Sequence, residues 1–353
     1  MLKNYLKVTL RSLLKFKTYL LVNVFGLSLG LACTSLAVVF VLEETSFDNF
    51  HSKSEQVYRV NKYFTNDAGI TSKSAESSGM MGPQMLTDYP EVKAMVRFQP
   101  WFNREVVSYG NQHFKEEDLA FADSAYFNFF DFELLEGNPS TVLKEPRSIV
   151  LTTSLKDRIF GKKDAVGEML QLLGLTFQVT GIAADVPRNS HMQFSALISW
   201  STTTGGEGNL NYTFFNNWLA QALNTYVELQ PETDVSSLET KLADMMTTYM
   251  PNRSKDYELY LQPFSDIYLH SDDIQFGNFK LRLGSNQFVL IFKFIALFVL
   301  LIAVINYVNI STSKALRRAL EVGVRKVLGA ERNQLFVQFM GEALIVTVIS
   351  GAV

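Results

Sequence analysis

A chain of 353 residues could hold two soluble domains, but its 47% hydrophobic content is unevenly spread, and a net charge of −3 conceals strongly basic and strongly acidic stretches. Nothing in that balance points to nucleic acid as a partner. The one cysteine, Cys33, falls in an apolar run, so no internal disulfide can form and a folded domain must rest on its own core.

Lys3, Lys7, Arg11 and Lys15 recur every four residues, while Leu2, Leu6, Leu10, Leu13 and Leu14 occupy another face. This pattern predicts a cytoplasmic amphipathic helix over residues 1–18 that lies on the membrane surface, its basic face toward lipid headgroups. Residues 19–42 follow without an Asp, Glu, Lys, Arg or His. As a helix they would reach about 36 Å, enough to cross a hydrocarbon core of roughly 30 Å. A cleaved signal peptide is the alternative, but its apolar region would be shorter and would end at a small-residue site rather than at Glu43-Glu44. Gly26, Gly30 and Thr34 form a small-residue stripe in this first transmembrane helix, and Ser28 with Ala32 a second. Such stripes let another helix approach closely, either a neighbouring span or a second copy.

Residues 43–285 hold 20 basic and 32 acidic residues. Alternating or β-rich runs at 56–64, 105–109, 148–151, 177–182 and 225–229, with helical patterns at 78–88, 154–160 and 235–249, predict a large mixed α+β domain. The stretch from about 94 to 217 reads as an inserted, strand-rich part, giving two subdomains. His51, His113, His191 and His270 have no second histidine or cysteine three or four residues away, so no metal site is expected. Gly205-Gly206-Glu207-Gly208 lacks the strand and the Lys-Ser/Thr of a phosphate cradle, and no Gly-x-Ser-x-Gly elbow occurs. Glu116-Glu117-Asp118 and Asp272-Asp273 read as solvated surface, and Phe127, Phe129, Phe130 and Phe132 as core. No catalytic residue emerges.

A second apolar run predicts a transmembrane helix over 286–308, interrupted by Lys293 and Asn306. Residues 309–332 form a basic connection, and a third apolar run, with Glu342 inside it, occupies 333–353. The chain ends within that run, which is read as a truncated third span of a longer polypeptide. Residues 1–17 carry a charge of +5 and residues 309–332 a charge of +4, which places both in the cytoplasm and the acidic domain outside.

The connection is the most specific part. Leu316, Leu320, Val324, Val327 and Leu328 share one helical face, Arg317, Arg318, Glu321 and Arg325 lie elsewhere, and Gly329 is a natural stop. Glu321-Val322-Gly323-Val324-Arg325-Lys326-Val327-Leu328-Gly329-Ala330 resembles the coupling-loop pattern of FtsX/MacB-like ABC-transporter permeases. Ser46-Phe47-Asp48-Asn49-Phe50-His51 with Val57-Tyr58-Arg59-Val60, then Phe127-Phe130-Phe132-Leu135-Gly137-Asn138, and the stretch from Leu261 to His270 are similar to the same family.

The resemblance implies a MacB-like periplasmic core domain and a non-catalytic permease subunit in the cell inner membrane, its N-terminus cytoplasmic. A separate ABC ATPase subunit would dock on Arg317, Arg318 and the segment from Glu321 to Ala330, with ATP and Mg bound by that partner and no cofactor in this chain. Further implied partners are a second permease copy or half, membrane lipids, and a periplasmic adaptor or substrate protein. Consistently, the sequence has no Walker A motif; Gly161-Lys162-Lys163 lacks both the glycine-rich lead and the Ser/Thr. A transmembrane sensor with an outer ligand-binding domain is the competing reading, and it would continue from the second span into a long cytoplasmic helix rather than return to the membrane within about 24 residues.

Overall fold

The computed structural model describes residues 17–204, 210, 217–277, 280–317, 319–327 and 332–352. They fall into two compact units: the residues up to Thr45 together with those from Asn286 onward, and Ser46–Ser285. In chain order the helices are α1 (Lys17–Glu44), α2 (Met81–Asp88), α3 (Tyr126–Phe129), α4 (Thr153–Phe160), α5 (Val235–Tyr249), α6 (Asn286–Arg317), α7 (Ala319–Val327) and α8 (Arg332–Ala352).

In the helical unit, α1 and α6 are each long and apolar enough to cross a membrane, and α8 carries a shorter apolar stretch, Phe339–Ala352. The predicted span over 286–308 proves to be only part of α6, which continues to Arg317. Apolarity stops near Val308, but nothing after it breaks a helix: Asn309 to Arg317 contains neither Gly nor Pro, and the Thr312 hydroxyl donates back to the Val308 carbonyl. The predicted surface helix at the N-terminus and the Gly329 stop lie outside the described residues.

The strands of the second unit, in chain order, are β1 (Val57–Thr65), β2 (Thr71–Ser74), β3 (Ser77–Ser78), β4 (Val92–Pro100), β5 (Glu105–Tyr109), β6 (Gln112–Glu116), β7 (Leu119–Ala122), β8 (Leu134–Glu136), β9 (Ser148–Thr152), β10 (Met169–Leu172), β11 (Leu175–Ala183), β12 (Ala196–Ser199), β13 (Gln221–Leu229), β14 (Tyr257–Pro263) and β15 (Ile274–Phe276). Hydrogen bonding runs without a break in the order β15-β2-β1-β13-β4-β7-β12-β9-β11-β10-β5-β6. β14 adds to β1 from Tyr58↔Pro263 to Phe64↔Tyr257. Most pairs are antiparallel, but β12 runs parallel to β7, β11 parallel to β9, and β15 parallel to β2 at the sheet edge. Of the strands in the two central parallel pairs, β7, β9 and β12 are buried along their whole length, as expected where both faces are covered.

The strand-rich segment is therefore not a detached sheet, because β4 pairs with β13 on one side and β7 on the other. It does have its own apolar core. One cluster gathers Val107, Leu119, Ile149, Leu155, Phe177 and Trp200. A second, built by α2, α5 and the strands they cover, gathers Met81, Met85, Leu238, Leu242, Met246 and Leu261. A third draws on both regions and holds Phe127, Phe129, Phe130 and Phe132 with Tyr226 and Phe264. The 15-residue α5 follows from its spacing: Leu238, Leu242, Met245 and Met246 make one buried stripe, and Asp234 caps its start by accepting from the Ser237 amide.

Candidate functional site

The segment that resembles a coupling loop begins where α6 ends. Within α7 the backbone is helical through Glu321, Val322, Gly323, Val324, Arg325, Lys326 and Val327. Val324 is 54% and Val327 88% exposed, Lys326 and Gly323 are exposed as well, and Val322 is half-buried. Among the described residues, no atom outside the helix's own backbone lies within 4 Å of the position that a Cβ on Gly323 would take. A short helix that presents two valines and a lysine with little cover is chemically suited to docking, since exposed branched apolar groups gain most from burial against another surface. The side chains of Arg317, Glu321 and Arg325, and Arg318, Leu328, Gly329 and Ala330 altogether, lie outside the described residues.

The small-residue stripe of α1 faces α6 of the same chain, so within this unit it meets a neighbouring span. A Cβ on Gly26 would come 3.3 Å from Asn306 Nδ2, and one on Gly30 only 2.4 Å from the Ala303 Cβ. The Thr34 hydroxyl lies 3.5 Å from the Ala296 carbonyl, and Phe40 and Phe292 pack with ring centroids 4.3 Å apart. As α1 residue numbers rise along this line their α6 partners fall, so the two helices are antiparallel. Lys293 is exposed, whereas Glu342 on α8 is buried.

In the second unit the histidines are not isolated. Asp48, held at φ 59° where Asp is tolerated better than most residues, accepts from Ser190 Oγ at 3.1 Å and from the His191 amide at 3.0 Å. Its other oxygen lies 2.7 Å from His191 Nδ1, and His191 Nε2 is 3.2 Å from the Tyr226 hydroxyl. All four side chains are buried. Burial raises the Asp48 carboxyl, but the His191 imidazole beside it and the bonds to that residue outweigh this and hold it below its ordinary value. His51 sits among Phe50, Phe130, Phe132 and Phe264, its Nδ1 accepting from the Asp131 amide. Burial pushes its imidazole down to about 4, against the opposing pull of Asp48 and Asp131.

Glu116 departs from the surface reading. It is buried, accepts from the Glu117 amide and pairs with Arg158 of α4. Glu117 and Asp118 remain exposed, Asp273 pairs with Lys73, and Asp272 accepts from Ser285. Among the described residues no three His, Cys, Asp or Glu side chains converge as a metal site would require. The Gly205 to Gly208 loop lies outside them.

Sequence reasoning missed the Asp48–His191 pair because 143 positions separate its members. The one available signal was the Ser-Phe-Asp-Asn-Phe-His run, which sets an Asp between two aromatics and a His directly after the second.

Comparison with known proteins agrees with this architecture. The MacB-like periplasmic core domain family matches residues 20–245, and the FtsX-like permease C-terminal family matches residues 293–353. The macrolide export ATP-binding/permease protein MacB of Mannheimia succiniciproducens is 24% identical over 247 residues, covering 69% of this chain and 35% of that protein. The ABC transporter permease YvrN of Bacillus subtilis is 23% identical over 235 residues, covering 65% of this chain and 54% of its own. The chain thus spans about a third to a half of the length of these relatives. A crystallised permease-protein domain from Porphyromonas gingivalis superposes with a TM-score of 0.50 at 20% identity, covering 60% of this chain and 92% of that one, which is a likeness of fold. With the first family covering well over half of the sequence and the second falling on α6 to α8, the chain belongs to the FtsX/MacB-like family of ABC-transporter permeases.

Proposed function

We propose that this chain is a non-catalytic permease subunit that transmits the ATP-driven motion of a separate ABC ATPase to its outer domain, for export, extraction or signalling. The observation that carries this reading is α7, a short amphipathic helix placed directly after a membrane-length helix and exposing Val324, Lys326 and Val327. An ATPase surface that covers those groups would gain apolar burial and a charge contact at once. In this arrangement ATP and Mg are held by the ATPase. The protein lies in the cell inner membrane, with the segment from 309 to 332 and the N-terminus in the cytoplasm and Ser46–Ser285 in the periplasm. Arg317, Arg318 and the residues from Glu321 to Ala330 form the docking segment, and a second permease copy or half completes the membrane assembly. Lipids surround the spans, and the outer domain engages an adaptor or a substrate protein.

The test is ATP hydrolysis by the cognate ATPase, reconstituted with the full chain in lipid nanodiscs. Val327→Glu places a charge in the docking surface and is expected to lower permease-stimulated hydrolysis about tenfold or more while the outer domain keeps its melting temperature. Unchanged stimulation by Val327→Glu and Val324→Glu together would refute the assignment of α7.

A further inference from the structure

The stretch that follows α1 and the stretch that precedes α6 are both bonded to the same two pieces of the outer domain. The first piece is the loop from Pro187 to His191. It takes the Asp48 amide on the Asn189 carbonyl at 2.8 Å, gives the Asn189 amide group to the Ser46 carbonyl at 3.0 Å, and grips the Asp48 carboxylate through Ser190 and both nitrogens of His191's proximal side, the main-chain N and Nδ1. The same loop takes the Arg282 amide on the His191 carbonyl at 2.8 Å and the Arg282 guanidinium on the Arg188 carbonyl at 2.7 Å. The second piece is Tyr268. Its ring stacks on Phe47 at a centroid distance of 3.4 Å and an interplanar angle of 7°, and its carbonyl accepts from the Gly284 amide at 2.9 Å.

Two chain stretches more than 230 positions apart therefore share a buried anchor. The arrangement has features that simple loop packing does not need. Asp48 holds a positive φ, a conformation sustained only where surrounding contacts repay it, and its carboxylate is buried with three bonds all directed at one loop. His191 spends its backbone on both stretches, its N–H on the first and its carbonyl on the second.

We propose that Asp48 and His191 are positioning residues for force transmission, joining the stretch that leaves α1 and the stretch that enters α6 into one block, so that the outer domain receives the movement of two helices as a single input. The role in transmission rests on the permease reading above, whereas the joint itself is a claim about this chain alone. It can be examined without any ATPase.

The experiment is hydrogen–deuterium exchange on the full chain in nanodiscs. Asp48→Gly removes the carboxylate and leaves the positive φ accessible; Phe47→Ala removes the stack on Tyr268. In Asp48→Gly the amides of 46–51 and that of Arg282 are expected to exchange faster together, by about tenfold, with β9 and β11 unchanged. In Phe47→Ala the Gly284 amide joins the accelerated set. A merely local structural role would accelerate 46–51 and leave Arg282 and Gly284 protected, and that result in both variants overturns the joint. If Asp48→Gly loses protection throughout, Phe47→Ala decides. Failure of the wild-type chain to stimulate its ATPase would overturn the transmission role and leave the exchange result standing, so the two ideas fail separately.

Discussion

Gly30→Ala tests how tightly α1 and α6 are held. The added Cβ would meet the Ala303 Cβ at 2.4 Å, with the Ala303 Cα at 3.8 Å and the Val299 carbonyl at 3.9 Å behind it. The obstructing methyl is fixed directly to the helix backbone and cannot swing aside as a longer side chain would. Restoring carbon–carbon contact near 3.8 Å requires the helices to separate by roughly 1 to 1.5 Å at this level. The Thr34 hydroxyl, already 3.5 Å from the Ala296 carbonyl, then loses its partner. Overpacking of this kind costs about 1–3 kcal/mol. Ala303→Gly removes the obstructing methyl, so the pair Gly30→Ala with Ala303→Gly should recover most of that loss, giving a coupling energy of about 1–2 kcal/mol. The assay is the denaturation midpoint of the full chain in mixed micelles, with Gly341→Ala as the control, because among the described residues nothing lies within 4 Å of its Cβ position. Equal midpoints for Gly30→Ala and Gly341→Ala, or a swap that recovers nothing, would refute the packing argument.

His51 is neutral in the folded domain down to about pH 4 but titrates near 6.5 when unfolded, so the unfolded chain takes the proton first and stability falls as pH drops between those values. The loss amounts to about 3 kcal/mol at the acid end. His51→Gln should flatten that limb of the stability–pH curve, and an unaltered acid limb would count against the assignment. Gly137→Ala, at φ 107° with Val142 Cγ1 2.5 Å and the Thr180 carbonyl 2.9 Å from the new methyl, is expected to lower the urea midpoint by the equivalent of about 2–4 kcal/mol. Gly69→Ala, at φ 76° with open space around it, should cost only about 1 kcal/mol. Arg97 grips Asp123 through Nε at 2.9 Å and Nη2 at 2.6 Å and covers the Trp200 ring, so Arg97→Lys should destabilise the outer domain by about 2 kcal/mol, and a neutral effect in thermal melts would contradict the bidentate reading.

What could be read in advance depended on how local the signal was. The membrane-length helices announce themselves through uninterrupted apolarity, and α5 through a single apolar stripe after a capping Asp. The ten residues from Glu321 to Ala330 carry a pattern specific enough to suggest the family. Strands such as β5 stood out because Val106, Val107 and Tyr109 favour extended backbone, whereas β10, with Met and Gln, gave little intrinsic preference and is held as a strand by its neighbours. The continuation of α6 to Arg317 could not be read from apolarity, which reports where lipid stops, because backbone hydrogen bonding is indifferent to that limit. Glu116 read as surface because two acids follow it, yet Arg158 lies 42 positions further on. The Asp48–His191 pair, the shared anchor on Tyr268 and the α6 partner of the Gly30 stripe are long-range facts. No spacing rule within a window of a few residues could supply them.

The filled stripe on α1 also constrains how copies of the protein can assemble. Gly26, Gly30 and Thr34 are the positions at which a sequence search would seek a dimer, but their close-approach surface is already taken by Ala303 and Ala296 of the same chain. A symmetric pairing through those glycines would first have to pull α1 off α6. The bulky row of Phe25, Leu29 and Leu36, which this chain leaves exposed, is the side of α1 still open to lipid or to another helix, and it would mesh through large side chains rather than touching backbones. The glycines therefore serve the packing of the single chain.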